Sequence, residues 1–381
     1  MELEERIRLA DPWFEDEEIA EVVAVLKSGR LVQGSRVEAF EARVAHYLGV
    51  PEAVACANGT ASLHLALLAL DLVPGDEVIV PDFTFPSAAN MIDAVGAVPV
   101  PVDVDLATFN MDPDQVAARI SARTRAIMPV HQFGLMADLS RLKELADIHG
   151  LVLFEDAACA LGASCPSARG DGGSSGVGRE SLMACISFHP RKVITTAEGG
   201  MVVSRSRETA ERLRRLRNHG AHREQGRMRF EEVGFNYRMT EVQGALGVGQ
   251  MARLDEVIAR RRVLARVYDE ALAGLPLRTP VVPEGYGHVF QSYVVLLDEP
   301  VDRDRVVAAL DRAGVEATLG AYALHAQPYY QRKYGLRAEA FPNSRVAFER
   351  SLALPIHQHM TEADAWSVGR ALAGVLTGAA A

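Results

Sequence analysis

The chain has 381 residues, more than one typical domain, which predicts two domains that share a large core. Hydrophobic residues make up 49% and charged residues 24% of the sequence, as in ordinary soluble globular proteins. The formal net charge is −10 and no dense basic block occurs, which argues against non-specific nucleic-acid binding. A local basic patch for an anionic substrate remains compatible with this balance.

No feature of the sequence points to secretion or to a membrane. We find no signal peptide at the start and no apolar run of membrane-spanning length, so the cytoplasm is the expected location. We expect no metal site, because His131 has no partners at metal-ligand spacing and is interpreted as structural. No CxxC pair occurs, and three of the four cysteines lie in or beside apolar stretches, which predicts buried thiols. The cysteines are Cys56, Cys159, Cys165 and Cys185.

Two helices are predicted at the start of the chain. The first is acidic and amphipathic and covers about residues 15–28. Ser35 and Glu38 have capping-box spacing and predict the start of the second helix. The connecting loop holds Arg30, which could contact a substrate phosphate or simply be solvated.

A strand at 53–56 leads through Gly59 and Thr60 into an apolar helix over 61–72. A glycine turn at a helix N-terminus is an anion site, because free N–H groups and the helix dipole both favour a phosphate. Such turns are common in α/β proteins, so this one is weak evidence when taken alone.

Strands and helices then alternate, which predicts a parallel sheet with helices on both faces. The predicted strands are 77–80, 99–104, 126–130 and 151–154, and the helices lie near 88–96, 113–121 and 138–149. Phe83 and Phe85 follow the first of these strands and are core residues by default. Asp156 follows the last strand, at the edge of an open sheet where ligands bind; it could also be a helix cap.

Residues 164–181 are rich in serine and glycine and predict a flexible loop, either a surface excursion or a partial lid. A buried strand at 184–186 then ends at Ser187, and Lys192 follows in a turn before a second apolar run at 201–203. A lysine held there could attack a carbonyl, but a solvated lysine in a surface loop fits the spacing equally well.

The remainder of the chain predicts a basic helix at 208–217 and a long arginine-rich helix that begins near residue 254. Strands and helices are mixed after that point. We therefore place a large domain at 1–253, with an N-terminal helical segment, and a small C-terminal domain at 254–381.

The segment SFHPRKVITTAEGG at 187–200 resembles the lysine motif of the DegT/DnrJ/EryC1/StrS family of sugar aminotransferases. NGTASLHLAL at 58–67, EDAACALGA at 155–163 and GFNYRMTE at 234–241 resemble other motifs of that family, in the same order. The resemblance covers about residues 11–375. It implies an α/β fold of the aspartate-aminotransferase type, called fold-type I of pyridoxal-phosphate (PLP) enzymes, in which a large domain with a mainly parallel sheet flanked by helices adjoins a small α+β domain.

The resemblance also implies roles for individual residues around PLP. Lys192 forms the Schiff base, and its amine, once freed, moves a proton as general base and acid. Ser187, Gly59 and Thr60 hold the cofactor phosphate. Phe85 stacks on the pyridine ring.

In the same family the residue at Asp156 pairs with the protonated pyridine nitrogen, which makes the ring a better electron sink. The residue at Asn236 reaches the phosphate of the neighbouring subunit, which implies a homodimer with shared active sites. Arg30 and His325 are candidate substrate contacts, although a structural histidine fits His325 equally well.

Three positions depart from the family pattern. Ala197 stands where glycine is usual, with little harm expected, and Asp82 replaces a small residue, with no clear consequence. Cys159 occupies a cofactor-contact position that is usually Gln or His, and it cannot reproduce their hydrogen bonds.

The implied reaction is transfer of an amino group from glutamate to a keto-sugar, nucleotide-linked, in amino sugar biosynthesis. A PLP-dependent sugar dehydratase shares the fold, but that branch replaces the lysine with histidine, so Lys192 counts against it. A non-catalytic regulatory protein is the other alternative. Asp156 and Lys192 argue against this last reading, whereas Cys159 leaves some room for it.

Overall fold

The structure, a computed structural model, describes residues 6–168 and 172–378. Its helices are α1 Asp16–Ser28, α2 Ser35–Leu48, α3 Gly59–Leu68, α4 Ser87–Ala94, α5 Pro113–Arg119, α6 Leu139–His149, α7 Arg207–Leu216, α8 Glu241–Ala252, α9 Leu254–Ala271, α10 Arg303–Arg312, α11 Pro328–Tyr334, α12 Pro342–Arg350 and α13 Glu362–Leu376. Its strands are β1 Glu52–Cys56, β2 Glu77–Pro81, β3 Val98–Val102, β4 Thr124–Ile127, β5 Val152–Asp156, β6 Ser164–Pro166, β7 Ser174–Gly176, β8 Met183–Ser187, β9 Gly200–Ser204, β10 Ala221–Glu224, β11 Arg227–Phe230, β12 Leu277–Arg278, β13 Tyr293–Leu297, β14 Thr318–Leu319 and β15 Ser351–Leu354.

The largest sheet has seven strands in the order β1-β9-β8-β5-β4-β2-β3. Strand β9 is antiparallel to both of its neighbours, and the other adjacent strands are parallel. The prediction of a mainly parallel sheet is confirmed. Because β2, β4, β5 and β8 run in the same direction, their carboxyl ends meet at one edge of the sheet.

Helices cover both faces of this sheet. Phe40 of α2 and Leu142 of α6 belong to the apolar cluster on one face, together with side chains of α5 and α8. Leu65 of α3 and Leu213 of α7 belong to the cluster on the other face, together with side chains of α4. A strand buried on both faces carries an uninterrupted apolar run, which explains why these strands could be recognised from sequence.

A second sheet, all antiparallel, has the order β12-β13-β15-β14. Helices α9, α10 and α13 enclose its core, which includes Tyr268, Leu310 and Leu372. This arrangement agrees with a small α+β domain, and α9 begins at Leu254, but the boundary after residue 253 stays a prediction. None of the described helices is long and apolar enough to cross a membrane.

The predicted capping box at Ser35 and Glu38 is wrong. Helix α2 has Gly34 as its N-cap residue, with no capping side chain of its own. The carboxylate of Glu241, at the start of α8, accepts hydrogen bonds from the backbone N–H groups of Gly34 at 2.8 Å and of Val37 at 3.1 Å. The backbone N–H groups at the start of α2 are therefore bound by Glu241, which is distant in sequence, and not by the nearby side chains that the capping-box spacing indicated.

Three glycines of α8 let α1 and α2 approach it closely. A Cβ at Gly244 would lie 2.6 Å from the backbone nitrogen of Val37, and one at Gly247 would lie 2.7 Å from the ring of Phe40. A Cβ at Gly249 would lie 2.4 Å from Cγ of Glu18 in α1. The three helices thus form one tightly packed block beside the central sheet.

The prediction of a flexible loop at 164–181 is wrong for the part that the structure describes. Strands β6 and β7 pair as an antiparallel hairpin, Val177 is fully buried, and Ser181 is buried as well. Residues 169–171 of the predicted loop lie outside the described residues. The sequence analysis also missed the β10–β11 hairpin, which lies mostly on the surface.

We expect Glu241→Ala to lower the free energy of unfolding by about 1–3 kcal/mol, the cost of leaving a buried donor unsatisfied. Glu38→Ala is the matched control, and it should be nearly neutral because Glu241 already supplies the cap. The midpoint of thermal unfolding measures both. Equal losses in the two variants would show that Glu38 caps α2 after all.

Candidate active site

The predicted lysine and carboxylate come together at the carboxyl edge of the central sheet. Strand β5 ends at Asp156, which is opposite Cys185 in the parallel neighbour β8. The lysine turn, residues 188–199, follows β8 and carries Lys192. The cationic amine of Lys192 is close enough to Asp156 to favour its ionised form.

The lysine turn has a fixed conformation. The N–H of Phe188 donates to the carbonyl of Gly199 at 2.9 Å, which closes the turn at its base. The side-chain amide of Gln291, just before β13, donates to the carbonyl of Arg191 at 2.8 Å. Since Lys192 is half-buried, these contacts disagree with a freely solvated loop.

The amine of Lys192 contacts the thiol of Cys159, with Nζ 3.1 Å from Sγ. Cys159 follows β5, so the strand end that supplies Asp156 also places the thiol beside the lysine. The sequence predicted a cofactor contact for Cys159 but not this partner, because spacing along the chain does not show that residues 159 and 192 are adjacent in space.

Ala197 lies in the left-handed region of backbone conformation, with φ 68°. Glycine adopts this conformation without steric cost, whereas an L-residue pays roughly 1–2 kcal/mol. The departure from the family pattern at Ala197 therefore carries a small local strain within the lysine turn.

The two neighbouring carboxylates at the end of β5, Glu155 and Asp156, differ in the number of hydrogen bonds that they accept. Glu155 is fully buried and accepts hydrogen bonds from Nε2–H of His131 at 2.8 Å, from the hydroxyl of Ser181 at 2.6 Å and from the N–H of Gly178. His131 carries its proton on Nε2 because its Nδ1 accepts from a backbone N–H. The structural interpretation of His131 agrees with these contacts.

Asp156 projects to the other face of the strand and is also buried. Within the described residues, its side chain accepts one hydrogen bond, from the N–H of Ala158 at 3.0 Å. Burial raises the pKa of Asp156, and the Ala158 N–H and the Lys192 charge oppose that rise. A buried carboxylate with so few donors is suited to a cationic hydrogen-bonding partner.

The turn before α3 has the features of a phosphate site. Asn58 caps the helix by accepting from the N–H of Ala61 at 2.8 Å. The N–H groups of Gly59 and Thr60 donate to no acceptor in the described part of the chain. A Cβ at Gly59 would lie 2.8 Å from Cβ of Ser187, so only glycine lets the turn and this serine meet.

These residues fit PLP. A phosphate would meet the free N–H groups of Gly59 and Thr60 and the hydroxyl of Ser187 at a helix N-terminus. The carboxylate of Asp156 is available for a protonated ring nitrogen, and Lys192 offers an amine to the aldehyde. The structure thus brings together five of the predicted residues from three separate segments of the chain.

Phe85 and His325 differ in exposure. Phe85 is 64% exposed, contrary to the default of a core residue, and lies in the turn after β2. His325 is 3% exposed, and its Nδ1–H donates to the buried carboxylate of Asp82 at 2.5 Å. The structural alternative therefore describes His325 better than a direct substrate contact, and Asp82 has a partner that sequence did not reveal.

The remaining predicted residues lie on the surface. Arg30 is exposed in the loop between α1 and α2, and its side chain makes no hydrogen bond to the described residues. Asn236 is also exposed, and no hydrogen bond of its side chain is formed within the described ranges. The flanking rings of Phe235 and Tyr237 pack instead against His64 of α3.

The segment 234–243 connects three parts of the candidate site, which the sequence analysis did not anticipate. The carbonyl of Tyr237 accepts from the N–H of Ala57, directly before the phosphate turn. The N–H of Glu241 donates to the carbonyl of Leu31 in the loop that carries Arg30. The amide of Gln243 donates to the carbonyl of Glu198 in the lysine turn at 2.6 Å.

A model of the DegT/DnrJ/EryC1/StrS aminotransferase family matches residues 12–373. The chain belongs to this family. It is 40% identical over 347 residues to a GDP-perosamine synthase of Caulobacter vibrioides, covering 90% of this chain and 91% of that protein. It is 35% identical over 382 residues to the spore coat polysaccharide biosynthesis protein SpsC of Bacillus subtilis, covering 97% of this chain and 96% of that protein.

Solved structures agree with the family assignment. The PLP form of Spr1654 from Streptococcus pneumoniae, described as a candidate sugar aminotransferase, superposes with a TM-score of 0.91 at 26% identity. The match covers 98% of this chain and 99% of that chain. The predictions of the fold class, of an aminotransferase and of PLP as its cofactor are confirmed.

We expect the purified protein to be yellow and to lose this colour in Lys192→Ala, because that variant lacks the amine that binds the PLP aldehyde. Borohydride reduction followed by mass spectrometry of the peptides locates the adduct. Lys143→Ala, on the surface of α6, is the control and should keep the adduct. An adduct that persists in Lys192→Ala would assign the cofactor to another lysine.

Proposed function

We propose that the chain is a PLP-dependent aminotransferase that moves an amino group from glutamate to the keto group of a nucleotide-linked sugar. The observation that carries the proposal is the convergence of Lys192, Asp156 and the Gly59–Ser187 contact at one edge of the sheet. PLP, when bound, supplies an electron sink for a carbanion at the carbon that bears the nitrogen.

The residues of this chain have distinct tasks in the proposed reaction. The Nζ of Lys192 binds the cofactor aldehyde and, when released, removes a proton from one carbon and returns it at another. Asp156 keeps the ring nitrogen protonated because a buried anion favours a cation beside it. Cys159 contacts Nζ at 3.1 Å and so orients the lysine.

A basic cavity supports an anionic, nucleotide-linked substrate. The cavity has a volume of about 710 Å³, and its charged lining includes Glu211, Glu231 and five arginines. Arg214, Arg215 and Arg217 are paired with Glu52, Glu232 and Glu41. Arg223 and Arg238 have no carboxylate partner among the described residues. Guanidinium groups bind phosphates in a bidentate manner, so Arg223 and Arg238 are suited to the phosphates of such a substrate. Gln33 also lines the cavity, which places the loop of Arg30 at its border.

The surface around Asn236 supports a homodimer with shared active sites. Phe235 and Tyr237 pack on His64, whereas Asn236 between them is exposed on the surface. Exposed apolar side chains lie nearby, among them Phe230 at 69% and Val233 at 84%. Such side chains are typical of surfaces that a partner covers. We propose that Asn236 binds the PLP phosphate of the neighbouring subunit.

We place the reaction in the cytoplasm. All four cysteines are free thiols, and three of them are buried. A compartment that keeps thiols reduced agrees with this state.

The proposal predicts release of 2-oxoglutarate from glutamate when a suitable nucleotide-linked keto-sugar is supplied. In Asp156→Asn we expect turnover to fall roughly tenfold to a few hundredfold. The reason is that a hydrogen bond to a charged group is worth about 1.5–3 kcal/mol, and 1.36 kcal/mol corresponds to about tenfold. The measurement is the initial rate across a panel of keto-sugars.

The control for this experiment is Asp147→Asn, an exposed carboxylate on α6, which should keep full activity. Near-normal turnover of Asp156→Asn with bound PLP would show that Asp156 only orders the turn at Ala158. Wild-type protein that transfers nitrogen to no keto-sugar would contradict the proposed substrate class.

Shared sites predict complementation between two inactive variants. Asn236→Asp places a negative charge beside the phosphate of the partner site, and Lys192→Ala removes the reactive amine. A mixed dimer then has one site with both defects and one intact site, so activity should partly return on co-expression. The measurement is the rate of affinity-purified heterodimers. Confirmed heterodimers without activity would refute the shared site and leave the aminotransferase assignment in place.

A further inference from the structure

The turn at residues 82–85, after β2, is joined to residues 322–325 of the C-terminal part of the chain. The N–H of Thr84 donates to the carbonyl of Tyr322 at 2.8 Å, and the N–H of Leu324 donates to the carbonyl of Asp82 at 2.8 Å. Phe83 and Ala323 form an antiparallel bridge between these two bonds. Because the bonds are backbone to backbone, they fix the separation of the two segments but not their side chains.

A buried pair of side chains reinforces this junction. The carboxylate of Asp82 is 0% exposed and accepts from the backbone N–H of His325 at 2.8 Å and from its Nδ1–H at 2.5 Å. The ring of His325 stacks on Phe341 with an interplanar angle of 12°. Hydrogen bonds to a carboxylate that water does not reach are strong and directional. We call Asp82 and His325 the clasp.

The junction that the clasp holds also positions two exposed aromatic rings, those of Phe85 and Tyr322. Phe83 points into a buried cluster with Phe109 and Phe133, whereas Phe85 is exposed. The Phe85 ring lies 6.0 Å from that of Tyr322, at an interplanar angle of 70°. Edge-to-face contact of this kind is favourable, so the position of the 322–325 segment sets that of the Phe85 ring.

The same turn is connected to the carboxylate at the centre of the candidate site. The amide of Gln132 donates to the carbonyl of Phe83 at 2.5 Å. The N–H of the preceding residue, His131, donates to the carbonyl of Asp156 at 3.0 Å. A movement of the turn relative to β5 would have to break one of these bonds.

We propose that Asp82 and His325 are positioning residues that hold Phe85 where its ring stacks on the cofactor. The inference rests on the proposed function and on the stacking role that the family resemblance implies for Phe85. A ring that is held in place before binding loses little freedom when the cofactor arrives, so the clasp strengthens binding without touching the ligand.

A double-mutant cycle tests the inference, because residues that act through one another have non-additive effects. The probe is pyridoxamine phosphate, which has no aldehyde for Lys192 to bind, so its affinity reports the non-covalent contacts. Phe85→Leu should weaken its binding roughly fivefold to tenfold, as expected for loss of an aromatic stack. His325→Phe should weaken it by a similar factor in the wild-type background and by less than about twofold in the Phe85→Leu background.

His325→Asn is the conservative variant, since it keeps an N–H donor near the position of Nδ1 and should restore most of the affinity. A merely structural histidine would lower the thermal midpoint in both backgrounds and weaken binding additively. His325→Phe leaves the buried carboxylate of Asp82 without one of its hydrogen-bond donors. If this variant does not fold, the cycle uses the double substitution Asp82→Leu/His325→Phe in its place, because that removes both polar groups.

Additive effects, or unchanged affinity in folded His325→Phe, would overturn the clasp. Unchanged affinity in Phe85→Leu would overturn it too, because the clasp acts through that ring. The proposed function fails by a different result, namely wild-type protein that forms no borohydride-reducible adduct at Lys192. The two failures are therefore distinguishable.

Discussion

The candidate site depends on one buried negative charge. Asp156 lies at the end of a parallel strand, away from water, with a single hydrogen-bond donor among the described residues. Leaving such a group ionised is unfavourable unless a cation approaches it. The cationic amine of Lys192 is near this carboxylate. The proposed second cation is a protonated ring nitrogen. The preference for PLP thus follows from electrostatics as much as from shape.

The neighbouring carboxylate, Glu155, has a structural role instead. Glu155 is equally buried, yet a histidine, a hydroxyl and a backbone N–H surround it. Strand alternation sends the two side chains to opposite faces of the sheet, so one strand end supplies both a structural anchor and a reactive group. Glu155 binds the end of the 164–181 segment and thereby fixes the strand that presents Asp156.

The sequence allowed prediction of most of the central sheet, because strands buried on both faces carry uninterrupted apolar runs. The lysine, glycine and acidic motifs are contiguous, so a candidate PLP site could be proposed from their resemblance to a family, and the roles of the single residues toward PLP stay predictions. Contacts between distant segments were not accessible. The cap that Glu241 provides for α2, the pairing of Asp82 with His325 and the approach of Cys159 to Lys192 each join residues that no local pattern relates. The described part of the 164–181 segment was misinterpreted because its composition is that of a loop, whereas Glu155 binds Gly178 and Ser181 at its end.

The glycines of α8 have a consequence for how the enzyme could change during evolution. Any side chain at Gly244, Gly247 or Gly249 would meet backbone or side-chain atoms of α1 and α2 at less than van der Waals distance. A larger residue at any of these positions would therefore disrupt the packing of the three helices. Arg30 and Asn236 are exposed, so their side chains can be exchanged without touching this packing. The fold and its exposed loops can thus change independently during evolution.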